Sequence, residues 1–356
     1  MTRAWVEIDL GALRRNGAVM AARAAALLPM VKADAYGIGA VAATRVLEAL
    51  APWGFGVATI DEGRELRDAG VDRPIIVFTP PLPDELAELR AARLTPALGT
   101  PAQIDAWRAL GAGHEDWHLA IDTGMHRAGV HWNEVWDLRA ALQAAPPEGA
   151  FTHFHSADVD DDSLAEQDRR FEYAVGQLPS RPKLLHSENS AALARTTKSR
   201  WSLARPGIFL YGAGAGARAL VKPENVASLK ARVAEIHVLE DGDTVSYGAT
   251  YRAQGERRIA TLPVGYADGY RRALGNRAQA LVNGRRAPVV GVVTMDMTMI
   301  DITDVPCEIG DIVTLIGRDG DRVRDVDTVA RDGDLSPYEV LIGLRSRLPR
   351  QYVNAP

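Results

Sequence analysis

Cysteine is nearly absent from this chain: Cys307 is the only one in 356 residues. A lone thiol forms no internal disulfide and no cysteine metal cluster, which suits a reducing compartment. A basic excess is missing too. With 41 lysines and arginines against 46 acids the net charge is −5, so the chain lacks the positive surface that phosphate backbones and anionic lipid headgroups require. Nucleic acid and membrane are therefore not expected partners. No run reaches the roughly 18 apolar residues of a membrane span, and Glu7 and Asp9 fall where a signal peptide would carry its apolar core. The expected location is the cytoplasm. Repeats and low-complexity tracts are also lacking. What is present, 47% hydrophobic and 24% charged residues, is the mixture of an ordinary globular protein of about two domains.

After an opening strand at 5–10, eight short apolar segments follow at 28–32, 55–58, 75–78, 95–98, 118–121, 150–154, 183–186 and 202–205. Amphipathic, alanine-rich stretches such as 40–50, 83–94, 134–144 and 163–178 lie between them. Eight βα units predict a (β/α)8 TIM barrel over residues 1–225, although a doubly wound open sheet shows the same alternation. From 226 to 356 the texture changes to β-branched runs at 232–238, 259–263, 278–282, 287–293, 299–302 and 312–316. Asp241-Gly242, Asn283-Gly284 and Asp319-Gly320 supply turn signals beside them. The expectation is α/β: a barrel followed by a mainly-β C-terminal domain, with which the 5–10 strand is free to pack.

Barrels of this kind place reactive groups at the carboxyl ends of their strands. Here the first strand would end in Lys32, followed by Tyr36, and the fifth would run into Asp122-Thr-Gly-Met-His-Arg127. The sixth leads to His153, the seventh to Ser187-Glu-Asn-Ser190, and the eighth to Arg205-Pro-Gly207-Ile208. A lysine, a histidine, arginines and a serine–glycine cradle at one mouth suit a phosphorylated cofactor held by the lysine. The apolar approach Leu27-Leu-Pro-Met-Val31 buries the root of Lys32, and a desolvated amine is pushed toward its neutral, nucleophilic form, able to make a Schiff base. A rival reading uses His153 and His155 as an H-x-H metal site for hydrolysis, with Asp158, Asp160, Asp161 and Asp162 nearby. The acid run also reads as a solvated loop and helix start.

Six strings add a resemblance. Val31-Lys-Ala-Asp-Ala-Tyr-Gly37, Ile121-Asp-Thr-Gly-Met125, Arg205-Pro-Gly-Ile208 with Tyr211-Gly212, Val245-Ser-Tyr-Gly-Ala-Thr-Tyr-Arg252, Pro263-Val-Gly-Tyr-Ala-Asp-Gly269 and Met295-Asp296 resemble, in order, the signature segments of fold-type III alanine racemases. The similarity runs from Trp5 to Tyr352. It implies an enzyme interconverting L- and D-alanine on pyridoxal 5'-phosphate, held by Lys32 as an internal aldimine, with no metal. Lys32 would be one catalytic base and Tyr247, from the second subunit of a homodimer with shared active sites, the other. His153 would hydrogen-bond that tyrosine over the cofactor ring. Arg205 would meet the ring nitrogen; a guanidinium only donates, so that nitrogen stays unprotonated and the cofactor is a restrained electron sink. Tyr36, Ser190, the backbone of Gly207 and Ile208, and Tyr338 would hold the phosphate. Arg127 would bind the substrate carboxylate together with the Met295 backbone of the second subunit, with Tyr266 and Asp296 lining the entrance. In a bacterium the product would feed peptidoglycan.

The chain also departs from that family's pattern. Many members carry a carbamylated lysine seven residues before the arginine matching Arg127, and here that residue is Ala120. Ile38 stands in place of a usual histidine, His155 and Ser156 in place of smaller residues, and Met297 in place of a common polar one. Pyridoxal-phosphate carriers with the same barrel lack the β domain. Related decarboxylases use a cysteine in a different local motif from Val305-Pro-Cys-Glu-Ile309.

Overall fold

The computed structural model describes residues 2–111 and 117–355. Six short parallel strands, Phe55–Val57, Ile75–Val77, Thr95–Leu98, His118–Asp122, Gly149–Phe151 and Leu184–His186, pair in chain order. Their runs read as continuously apolar because the faces of a parallel sheet are covered: Ile75, Ile76 and Val77 are all buried. The remaining two barrel segments are too irregular to be strands, yet they close the ring. Leu27 bridges Ala204 and Met30 bridges Gly56, while the Leu203 N–H donates to the Leu185 carbonyl at 3.2 Å. Local chemistry sets the outer helices. Thr59 and Glu62 form a capping box that opens Ile60–Asp68, and Thr100 with Pro101 opens Pro101–Ala109.

The segment expected to end the first strand behaves differently. Lys32 opens a turn, Lys32–Gly37, in which Ala33, Asp34, Ala35 and Tyr36 all have φ between 51° and 57°. A left-handed conformation costs a non-glycine residue about 1–2 kcal/mol, so four in succession need outside support. Glu62 accepts the Ala33 N–H at 2.7 Å and Asp34 accepts the Ala40 N–H at 2.7 Å. From the last strand of the chain, Arg350 donates to the Gly37 carbonyl at 2.7 Å and Tyr352 to the Ile38 carbonyl at 3.0 Å.

That last strand, Arg350–Val353, lies parallel to Ala4–Asp9, whose other edge pairs antiparallel with Ala227–Arg232. They belong to a seven-stranded sheet that continues through Ile312–Asp319, Gln279–Val282 and Arg285–Pro288, with Arg322–Arg324 alongside Ile312–Asp319. Glu235–Leu239, Arg257–Leu262 and Thr298–Asp301 form a three-stranded sheet. Asn283 and Gly284, both with positive φ, make the tight hairpin their sequence signals. The 232–238 run is broken at Val233-Ala234 and serves two sheets. In 287–293 the strand stops at Pro288, leaving one bridge, Val289 to Ile300. The region is also less purely β than its β-branched texture suggests, because helices Val326–Gly333 and Pro337–Gly343 are capped by Asp325 and Ser336. Among the described residues no helix is long and apolar enough to cross a membrane.

Candidate active site

The carboxyl ends of the barrel strands surround a cavity of about 810 Å³. Lys32, Tyr36, Arg127, His153, Ser190, Arg205, Gly207, Ile208 and Tyr338 all line it. The left-handed turn delivers Lys32, whose amine is pulled below the ordinary lysine range by burial first and by the charge of Arg127 second, against the opposing pull of Glu62.

Tyr36 stacks on Tyr211 with ring centroids 4.7 Å apart, and the Tyr211 hydroxyl donates to the Met30 carbonyl at 2.7 Å. Burial pushes the Tyr36 phenol well up, so it remains a donor. A Cβ on Gly207 would lie 2.3 Å from the Tyr36 hydroxyl oxygen, so only glycine lets that hydroxyl sit against the backbone. The Ser190 oxygen accepts the N–H groups of Gly207 at 2.8 Å and Phe209 at 3.2 Å. Its own proton is left to offer an anion. Tyr338 tilts against Tyr36 at 5.8 Å, so three hydroxyls and a glycine backbone converge.

Arg205 is buried at the base of the cavity. Nη1 donates to His186 Nδ1 at 2.8 Å and to the His186 carbonyl at 2.6 Å; Nη2 donates to the carbonyls of Thr152 at 2.6 Å and Ser187 at 3.2 Å. A guanidinium has five N–H donors, and the fifth, Nε–H, has no acceptor among the described residues. Burial lowers this guanidinium to about 9, with Glu188 opposing the shift and Arg127 adding to it, so it stays charged at neutrality. His153 is held down to about 3 by burial, then by Arg205, Arg127 and Lys32, and is neutral.

Side chains the sequence did not single out hold these groups. Gln167 donates to the His153 carbonyl at 3.2 Å and to Thr123 at 3.1 Å, and accepts the His155 N–H at 3.0 Å. Its signal was there to read: an amide at the spacing of Phe171, Ala174 and Val175 on the buried face of helix Ser163–Gly176. Behind Arg205, His186 and His118 are wholly buried and shifted down, by desolvation above all. An unfolded histidine binds a proton below about pH 6.5, which the native protein refuses until much lower pH, so stability present above that value is lost as pH falls. The melting temperature should therefore drop between pH 7 and pH 5, an interval in which few carboxylates titrate. An unchanged melting temperature there would mean that these imidazoles carry charge in the fold.

Known proteins resemble this chain in sequence and fold. Sequence profiles described as alanine racemase, N-terminal domain, and alanine racemase, C-terminal domain, match residues 8–215 and 226–352. An alanine racemase of Symbiobacterium thermophilum is 39% identical over 368 residues, covering 99% of this chain and 97% of its own. The chain belongs to the alanine racemase family. It is an enzyme, and racemisation of alanine is the activity that membership supports. The alanine racemase of Bacillus anthracis, solved with bound L-Ala-P, superposes with a TM-score of 0.89 at 32% identity over 99% of this chain and 95% of that one. That of Bartonella henselae, solved with covalently bound pyridoxal phosphate, gives 0.91 at 26% identity over 99% and 100%.

Within this racemase chain, four expected site residues stand apart from the cavity. Tyr247 is 70% exposed and Met295 53%; neither touches its own barrel mouth. Ser246 donates to the Val292 carbonyl at 2.7 Å, Tyr266 N–H to Thr294 at 3.0 Å and Ala267 N–H to Met295 at 3.0 Å, so the Tyr247, Tyr266 and Met295 loops are one connected face. Asp296 pairs with Arg347 at 2.6 Å, and Arg347 with Asp268 at 2.8 Å. Arg127 has no hydrogen bond or ion pair among the described residues. Ala120 packs instead with Ala97, Phe151 and Phe78, so the cavity wall there is apolar.

The metal reading required His153 and His155 to share a strand face. The strand stops at Phe151, and beyond it the alternation fails: His153 lines the cavity while exposed His155 bonds Ser156 at 2.6 Å. Among the described residues no group of three or more His, Cys, Asp or Glu is placed to hold a metal.

Proposed function

We propose that this protein is a homodimeric, pyridoxal-phosphate-dependent racemase that interconverts L- and D-alanine by two-base proton transfer, with Lys32 on one face of the substrate and Tyr247 of the partner subunit on the other. The observation that carries it is the pairing, in one cavity, of a desolvated lysine amine with an arginine that has a single uncommitted N–H. That N–H can bond a ring nitrogen without protonating it. The residues present fit the cofactor elsewhere too: the lowered amine of Lys32 suits its aldehyde, and the hydroxyls of Tyr36, Ser190 and Tyr338 with the Gly207–Ile208 backbone suit its phosphate.

When bound, the cofactor supplies the electron sink that makes the substrate Cα–H acidic, and a ring nitrogen facing arginine keeps that sink weak enough for proton return to outrun transamination. Everything else falls to the chain. Lys32 takes or returns the proton at Cα from one side. Tyr247 of the partner subunit does so from the other, helped by neutral His153, since a phenol near 10 needs a hydrogen-bond partner to act at neutrality. Arg127 orients the substrate carboxylate with the Met295 backbone of the partner subunit, and Tyr266 and Asp296 of the partner subunit line the entrance. The exposure of the loop face in the single chain supports this division, and an isolated subunit should be almost inactive. The role we assign is the supply of D-alanine for peptidoglycan in a bacterial cytoplasm.

Borohydride reduction of the cofactor-loaded protein followed by peptide mapping tests the reading. The pyridoxyl group should be found on Lys32; a label on any other residue, or no bound chromophore, refutes it.

A further inference from the structure

The interior of the barrel holds a polar chain that the reaction does not use. From Arg205 Nη1 it passes to His186 Nδ1 at 2.8 Å, from His186 Nε2 to His118 Nδ1 at 2.8 Å, and from His118 Nε2 toward a Glu148 carboxylate oxygen at 3.8 Å. It runs from the cavity at the strands' carboxyl ends to the opposite rim, because His186 closes its strand while His118 opens its own. The barrel makes room for it: a Cβ on Gly149 would lie 2.3 Å from His118 Nδ1.

The direction of every bond follows from one end. A guanidinium can only donate, so His186 Nδ1 accepts and the proton of that neutral ring sits on Nε2. That proton is donated to His118 Nδ1, which places the proton of His118 on its own Nε2, facing Glu148. Both rings are fully buried and both are shifted down by desolvation first, with the charge of Arg205 adding to it and, at His118, Glu148 opposing it. The side-chain acceptor of Arg205 is therefore held in one tautomer by a second histidine, whose own Nε2 lies 3.8 Å from a carboxylate oxygen, too far for a direct hydrogen bond.

We propose that His186 and His118 are positioning residues that fix Arg205 so that only its Nε–H is presented to the cavity. This rests on the reading that Arg205 meets the ring nitrogen of the cofactor. Without the Nδ1 acceptor, Nη1 loses one of its two partners, the guanidinium loosens, and water reaches the ring nitrogen and can protonate it. A protonated ring is a stronger electron sink, so the visible partition between racemisation and transamination should move.

Three variants and one measurement on the protein without cofactor test this. In His186→Leu the pyridoxamine phosphate formed per racemisation should rise roughly tenfold or more, as expected when a hydrogen bond to a charged group is lost, with a changed absorption spectrum of the bound chromophore. In His186→Asn the amide oxygen takes the place of Nδ1, and both readouts should return close to wild type. Unchanged readouts in His186→Leu overturn the inference. Arg205→Lys separates the two claims: if it shifts the readouts and His186→Leu does not, the inference fails alone; if neither shifts them, the assignment of Arg205 fails and the inference with it. Nitrogen NMR of the histidine-labelled protein should show both Nδ1 atoms unprotonated and both Nε2 atoms protonated at neutral pH. The opposite tautomer, or an imidazolium, at either residue overturns the relay.

Discussion

Replacing Lys32 with alanine should leave a folded protein that racemises alanine at least about 10⁴-fold more slowly, because the change removes both the covalent anchor of the cofactor and one of two bases, and a positioned base alone contributes about 10²–10⁴. Circular-dichroism time courses from each pure enantiomer measure the loss, and borohydride should fix no chromophore to the variant. The size of the effect follows from how the amine is delivered. Lys32 sits at the start of a turn whose next four residues hold a left-handed conformation, and Glu62, Arg350 and Tyr352 clamp that turn. No neighbouring lysine lines the cavity to substitute for it. The lowered amine also sets the pH response. A base must be neutral to accept a proton, and the Lys32 amine is free of the cofactor only once substrate has replaced it, so kcat, which reports the substrate complex, should climb with pH and level off below the range of an ordinary lysine. Lys32→Arg, charged at all accessible pH, should be as inactive as Lys32→Ala; substantial racemisation by either would remove Lys32 from the chemistry.

Most of the barrel was legible because parallel strands buried on both faces leave uninterrupted apolar runs. Segments 28–32 and 202–205 were placed at the correct points of the ring, although they pair through single bridges. What hid the shape of the Lys32 turn is that left-handed backbone normally announces itself through glycine, and Ala33 to Tyr36 contain none; their conformation is supported from outside the turn, by Glu62 and by Arg350 and Tyr352 from the end of the chain. The helices at 326–333 and 337–343 were missed for another reason. The β-branched texture around them outweighed two readable caps, Asp325 before Val326 and the Ser336-Pro337 start with Glu339. In the site, the residues at strand ends were readable from the architecture. His118 and His186 were not, since a buried polar side chain in an apolar run shows its meaning only once its acceptor is known.

Tyr247→Phe is the sharper test of the shared site. The two enantiomers of alanine are equal in free energy, so net racemisation must slow by the same factor in both directions and cannot by itself reveal which face the phenol serves. Solvent deuterium exchange at Cα can. We assign the proton of L-alanine to Tyr247 and that of D-alanine to Lys32; with the phenol gone, abstraction from L-alanine should fall by about 10²–10⁴, while abstraction from D-alanine by Lys32 continues, so label should enter D-alanine without inversion. Equal loss of exchange from both enantiomers would count against the assignment of faces. The same variant tests the assembly, because Tyr247 is 70% exposed and lies outside its own chain's cavity. Lys32→Ala and Tyr247→Phe homodimers are each impaired at every site. A mixed dimer, however, joins an intact Lys32 from one chain to an intact Tyr247 from the other at one of its two sites. Unfolding, mixing and refolding the two variants together should restore racemisation that neither shows when refolded alone. If the mixture stays as inactive as its components, Lys32 and Tyr247 do not work across a subunit boundary, and the two-chain site is wrong however well the barrel residues fit.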